Sequence, residues 1–150
     1  MTHIAHKVIL IVFILITTSC QDKTMPTEVI DVNTPTPVAQ PVSGKATLIG
    51  RVVSQVTGKP ITNIPVRLAE VYRQGNEGAF ILDGAFSPTT LTDNAGHFVL
   101  SNIEPREYVI VIGDPQGEYH ITPDSNGSAR VWDIGDGEIL DVGELLVNLN

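Results

Sequence analysis

From residue 46 to residue 150, turn signals recur at intervals near ten residues, and the stretches between them alternate apolar with polar side chains. Such stretches are too short for helices, and their period of two places one set of side chains on one face. Residues 46–54 (ATLIGRVVS) put Leu48, Gly50 and Val52 together. Thr57-Gly58-Lys59-Pro60 then turns the chain, since glycine accepts positive φ and proline presets the bend. Residues 65–73 (PVRLAEVYR) form a second strand with Val66 and Leu68 inward, broken by Gln74-Gly75-Asn76-Glu77-Gly78. Short strands follow at 79–82 and 89–92. Asp93-Asn94-Ala95-Gly96 is the next turn, and 97–101 carries Phe98 and Leu100 on one face. Residues 108–112 (YVIVI) are apolar throughout, as a central strand covered on both faces should be. Residues 129–134 and 139–149 supply the last two strands, on either side of Gly135-Asp136-Gly137. The expected fold is all-β, an antiparallel sandwich of seven to eight strands with no helix of sustained 3.6-residue period.

The first 45 residues have a different character. After Lys7, residues 8–16 (VILIVFILI) contain no polar side chain. Nine residues rise about 13 Å as a helix, less than half the ~30 Å hydrocarbon core. A basic start, a short apolar run and small residues at its end read as a secretory signal peptide over residues 1–19. Thr17-Thr18-Ser19 leads into Cys20, the single cysteine of the chain. This resembles the lipobox of bacterial lipoproteins, which implies cleavage between Ser19 and Cys20 and lipid attachment at Cys20. The family's usual leucine three residues before the cysteine is Thr17 here, and Gln21 stands where an inner-membrane retention aspartate would be. Two or three acyl chains, as the resemblance implies, would hold the protein on a bacterial cell membrane or outer membrane, facing away from the cytoplasm. Residues 20–45 carry four prolines, four threonines and no aromatic residue, and so read as a disordered Thr/Pro-rich tether.

Charge narrows the partners. The chain carries a formal net charge of −8, and losing residues 1–19 would remove Lys7 and no acid. Such a surface repels phosphate backbones, so no nucleic-acid partner is expected. The expected partners are the membrane, through the lipid anchor, and an envelope protein or polysaccharide.

The turn motifs also carry a family likeness. Gly50-Arg51-Val52-Val53, Thr57-Gly58-Lys59-Pro60-Ile61 and Ile64-Pro65-Val66-Arg67-Leu68 look like the opening of carboxypeptidase regulatory-like domains. Thr92-Asp93-Asn94-Ala95-Gly96-His97-Phe98-Val99-Leu100, Asn102-Ile103-Glu104-Pro105 and Tyr108-Val109-Ile110 resemble their middle, and Asp141-Val142-Gly143 their close. The likeness covers residues 46–150 and resides in the order and spacing of the motifs. It implies a transthyretin-like Greek-key sandwich acting as an accessory that stabilises, spaces or binds. One departure is Arg106, where the family has glycine after the proline.

Chemistry-bearing residues are sparse. His97 begins a strand beside a turn, and His120 shares a strand face with Glu118, two ligands where zinc needs three or four. The acids Asp133, Asp136, Glu138, Asp141 and Glu144 lack the spacing of a dedicated calcium loop and read as a charged hairpin tip. No serine or cysteine has an evident His/Asp partnership, so no catalytic residue, metal or cofactor is expected and the chain reads as a non-enzyme. A glycan-binding face needs flat aromatic rings, for which the candidates are Trp132, Tyr72 and Tyr119. The leading functional expectation is a non-catalytic structural or protein-interaction module. A carbohydrate-binding module is the alternative.

Overall fold

The alternating stretches become nine strands: β1 Ala46–Ser54, β2 Pro65–Gln74, β3 Glu77–Ile81, β4 Thr89–Leu91, β5 His97–Ile103, β6 Glu107–Gly113, β7 Tyr119–Ile121, β8 Val131–Asp133 and β9 Ile139–Val147. The computed structural model describes residues 38–75 and 77–149, within the unit Thr36–Asn150. The stretch read as a signal peptide, Ser19, Cys20 and the part of the expected tether up to residue 37 lie outside the described residues.

The strands form two sheets. One has the order β5-β1-β9; the other has β2 and β6 at its centre. β3 and β4 share the free flank of β2, while β7 and β8 share that of β6. The all-β sandwich read from the sequence is therefore the observed architecture. β7 is read from the sequence only as the strand face carrying His120, without bounds. β1 and β9 pair in parallel, whereas every other strand pair is antiparallel.

Leu48, Val52, Val66, Leu68, Phe98, Leu100, Tyr108 and Ile110 meet between the sheets as the period of two requires. Gly50 keeps that face open, since a Cβ there would lie 2.6 Å from Val142 Cγ2 and 2.8 Å from Phe98 Cζ. The other face of the larger sheet buries Ala69, Val109 and Val111 against Val71, Leu82, Ile121 and Ala129. The run YVIVI is continuous because β6 is covered on both faces.

The Thr92–Gly96 turn shows why its motif has these residues. Thr92 Oγ1 donates to Ile61 O (2.8 Å) and accepts from Ile64 N (3.1 Å), fastening the approach to β2. Asp93 Oδ1 accepts from the amides of Ala95 and His97, each at 2.8 Å. Gly96 has φ +80°, and a Cβ there would come within 2.6 Å of Val52 O. Arg106 is absent from the positive-φ residues, so the turn into β6 needs no glycine there. Its guanidinium instead forms an ion pair with Glu70 across the β2–β6 ladder.

Candidate functional site

Leu68, Glu70 and Tyr72 lie at alternate positions of β2 and so share its inward face. Burial falls away along this row: Leu68 is fully buried, Glu70 half-buried and Tyr72 52% exposed. The same face continues sideways through Ile81, opposite Glu70 on β3, and Tyr108, opposite Glu70 on β6. Where this face emerges from the sandwich, two other segments wall it. The end of β5 contributes Asn102, Ile103 and Glu104, and the 82–88 loop contributes Asp83 and Phe86. The result is an open groove of about 410 Å³.

The loop is locked by its own hydrogen bonds. Asp83 Oδ1 accepts from the amides of Ala85 (2.7 Å) and Phe86 (3.1 Å). Ser87 Oγ accepts from Asp83 N (2.9 Å), and Ser87 N donates back to Asp83 O (3.0 Å). Pro88 O accepts from Leu68 N (3.0 Å), which ties the loop to β2. The Asx turn is a local solution available to aspartate. Its effect is to hold Phe86 86% exposed on a fixed backbone beside Tyr72 and Ile81.

A bulge shapes the opposite wall. Ala46 faces Ile103 and Leu48 faces Leu100, so β5 spends three steps where β1 spends two. The extra residue keeps Ile103 buried and leaves Asn102 exposed on the groove wall with φ +56°. Around it the charges are paired: Glu70 with Arg106, and Glu104 with Lys45. The Lys45 ammonium, hydrogen-bonded to Glu104, holds that carboxyl below the usual carboxylate range. Tyr108 donates its hydroxyl to Glu104 O (3.0 Å), and burial pushes its phenol up.

The three aromatic candidates from the sequence occupy three different settings. Tyr72 lines the groove. Trp132 is 8% exposed, packed in the core beneath the guanidinium of Arg130. Tyr119 is half exposed on β7, across the sheet from β2. Among the described residues, no group of three or more His, Cys, Asp or Glu side chains is placed to hold a metal ion. Four of the five acids of the 133–144 stretch have local work: Asp136 accepts from Gly44 N, Glu138 from Gly135 N, Asp141 from Gly143 N, and Glu144 pairs with Arg51. Phe86 carries no signal in the sequence, and Asn102 stands out there only as part of the Asn102-Ile103-Glu104-Pro105 motif. Phe86 stands in a Gly/Ser/Pro loop, and the bulge that exposes Asn102 exists only in strand register.

No family model matches the chain, and no curated protein matches it. Solved structures are similar in fold. A DUF3823 family protein from Bacteroides uniformis is 20% identical at TM-score 0.41, with 69% of this chain and 43% of that one covered. A candidate carbohydrate-binding protein from Pseudomonas aeruginosa is 15% identical at TM-score 0.44, with 73% and 92% covered. A 9R-lipoxygenase from Cyanothece is 18% identical at TM-score 0.40, with 76% and 18% covered. The chain spans under half the length of the lipoxygenase, the DUF3823 protein and a Bacillus cereus pilin subunit.

The expectation of a non-enzyme is corrected by these similarities. Besides the lipoxygenase, they include a Streptomyces dioxygenase domain, the catechol 1,2-dioxygenase of an Acinetobacter species and a Pseudomonas putida hydroxyquinol 1,2-dioxygenase. At 12–18% identity these four likenesses concern the fold and transfer no activity to this chain.

Proposed function

We propose that residues 46–150 form a glycan-binding module, displayed at a bacterial envelope membrane by lipid on Cys20 and spaced from it by the chain that follows, whose last residues, Gly44 and Lys45, are fastened to the domain. The observation that carries this reading is the meeting of the Tyr72 and Phe86 rings with Glu70, Asp83 and Asn102 around one open groove. A pyranose has an apolar C–H face and a rim of hydroxyls; aromatic rings match the first, and carboxylates and an amide match the second. The motif order of the carboxypeptidase regulatory-like domains supports an accessory role of this kind.

The test is affinity electrophoresis of the full chain, in a detergent without a sugar headgroup, through gels containing hydroxyethylcellulose, xylan or glycol chitin. Retardation by one of them, lost in Tyr72→Ala and Phe86→Ala with unchanged melting temperature, is the expected result. Equal mobility in every gel sinks the proposal. The protein-interaction reading is favoured by one observation, the extreme exposure of Phe86 beside Ile81. It predicts capture of a specific envelope protein that free sugar does not displace. Anchoring has a separate test: Cys20→Ser should move the protein out of the detergent phase on phase partition.

A further inference from the structure

We infer that the free edge of β3 is a self-pairing surface, through which two copies of this chain join β3 to β3 as antiparallel neighbours in one continuous sheet. The inference is independent of what the groove binds.

The strand edges of this domain are not equally protected. An open edge offers unpaired N–H and C=O groups to any other chain, and folds blunt their edges with short strands, bulges, charges or proline. β4, β7 and β8 are three residues each. β5 is bulged against β1. β9 is bulged too, taking three steps from Asp141 to Glu144 where β1 takes two, and it carries an acid at each end of the bulge. β3 has no such device beyond one charge, Glu77, at its end. Its five residues pair one for one with β2, are exposed throughout, and include no proline, lysine or arginine.

The edge fits a second copy of itself. Gln74 faces Glu77 across a two-residue connection, so this closing pair exchanges its hydrogen bonds within the hairpin, and alternation gives the same to Ala79 and Ile81. Gly78 and Phe80 are left to direct their backbone groups outward. A two-fold axis at Ala79 sets Gly78 of each copy against Phe80 of the other, each pair exchanging both backbone hydrogen bonds. Glu77 then faces Ile81. Centring the pairing on Phe80 instead would set Glu77 against Asp83, and like charges directly opposite disfavour that register.

Side chains complete the fit. Arg73 on β2 is opposite Gly78, and a Cβ at Gly78 would lie 3.7 Å from Arg73 Nη1 and 3.9 Å from its Cγ. The glycine thus leaves a shallow place bordered by the Arg73 side chain, whose guanidinium is held by hydrogen bonds to Glu107 (2.6 and 2.8 Å). Phe80, 42% exposed, points from the same face of the sheet as Gly78. In the pair its ring enters the other copy's glycine position, over bare backbone and against a cation. A two-fold of this kind stands perpendicular to the sheet, so both grooves open on one side of the joined sheet.

The experiment is sedimentation velocity of the full chain in a detergent matched to the density of the solvent, with oxidative crosslinking of Ala79→Cys in the same detergent. The unaltered chain should sediment as a monomer–dimer equilibrium. Phe80→Ala removes two symmetry-related ring contacts and should weaken dimerisation about tenfold. Gly78→Pro removes an outward N–H and leaves those facing β2, so it should abolish the dimer while the dilute monomer keeps its melting temperature. Ala79→Cys should crosslink to a dimer beyond the level of the unaltered chain, because Cα atoms of such a non-hydrogen-bonded pair lie about 4.5 Å apart, within disulfide reach. Leu146→Cys, exposed on β9, should not. A monomer at every concentration, a dimer indifferent to Phe80→Ala, or crosslinking by Leu146→Cys and not by Ala79→Cys overturns the inference.

Discussion

The guanidinium carbon of Arg130 lies 3.8 Å from the centroid of the Trp132 ring. The ring is thus closed off from solvent by a cation on one side and the core on the other. Trp132→Ala should destabilise the domain by about 3–5 kcal/mol, the range for deleting a large buried aromatic side chain. Trp132→Phe should cost far less, because the buried indole N–H has no hydrogen-bond partner and its removal strands nothing. Urea unfolding of both variants checks the pair. Glycans should leave the tryptophan fluorescence unchanged, since the ring is outside the groove.

Gly96 and Gly58 both have positive φ, at +80° and +66°, but a Cβ at Gly58 would meet nothing within 4 Å. Gly58→Ala should therefore cost only the conformational strain, about 1–2 kcal/mol. Gly96→Ala adds a collision with the Val52 carbonyl and should cost about 2–4 kcal/mol. Thermal melts of the two variants separate backbone strain from backbone clash.

Thr92→Val keeps the shape of a buried side chain and removes the oxygen shared by Ile61 O and Ile64 N. The loss should be about 1–3 kcal/mol, because the Ile64 amide is left without its acceptor. Faster hydrogen exchange at the Ile64 amide would locate the damage; an unchanged rate would refute this role for Thr92.

Desolvation holds the His120 pKa below its ordinary value, and its Nε2 is buried without a partner. The unfolded chain therefore takes up a proton at a higher pH than the folded one. Stability from this residue is complete above about pH 6.5 and falls as pH drops through the folded-state pKa. Urea midpoints between pH 8 and pH 5 should decline in that window, and His120→Gln should flatten the decline. Glu104 and Glu107, held low by hydrogen bonds from Lys45 and Arg73, lose their contribution only at more acid pH, below the ordinary carboxylate range.

Much of this architecture was legible in the chain. β1 has the bounds read from the sequence, and the inward placement of Val66, Leu68, Phe98 and Leu100 follows from alternation, whereas the unbroken apolar run of β6 leaves its inward face to the structure. Asp93 and Gly96 were legible as a turn because their chemistry acts over four residues. β7 was legible only as the strand face carrying His120, with no bounds. The parallel pairing of β1 with β9 was not legible, because pairing direction is a relation between segments about ninety residues apart.

The groove divides along the same line. Tyr72 could be named as an aromatic candidate, but so could Trp132 and Tyr119, and nothing local distinguishes the three. Period, turn chemistry and net charge are properties of neighbouring residues or of the whole composition, so the sequence by itself determined an all-β sandwich with an acidic character. Which aromatic ring is exposed, where a bulge turns Asn102 outward, and which loop brings Phe86 to meet them depend on how the sheets end against one another. Those outcomes arise from packing between distant strands, and only the tertiary structure decided them.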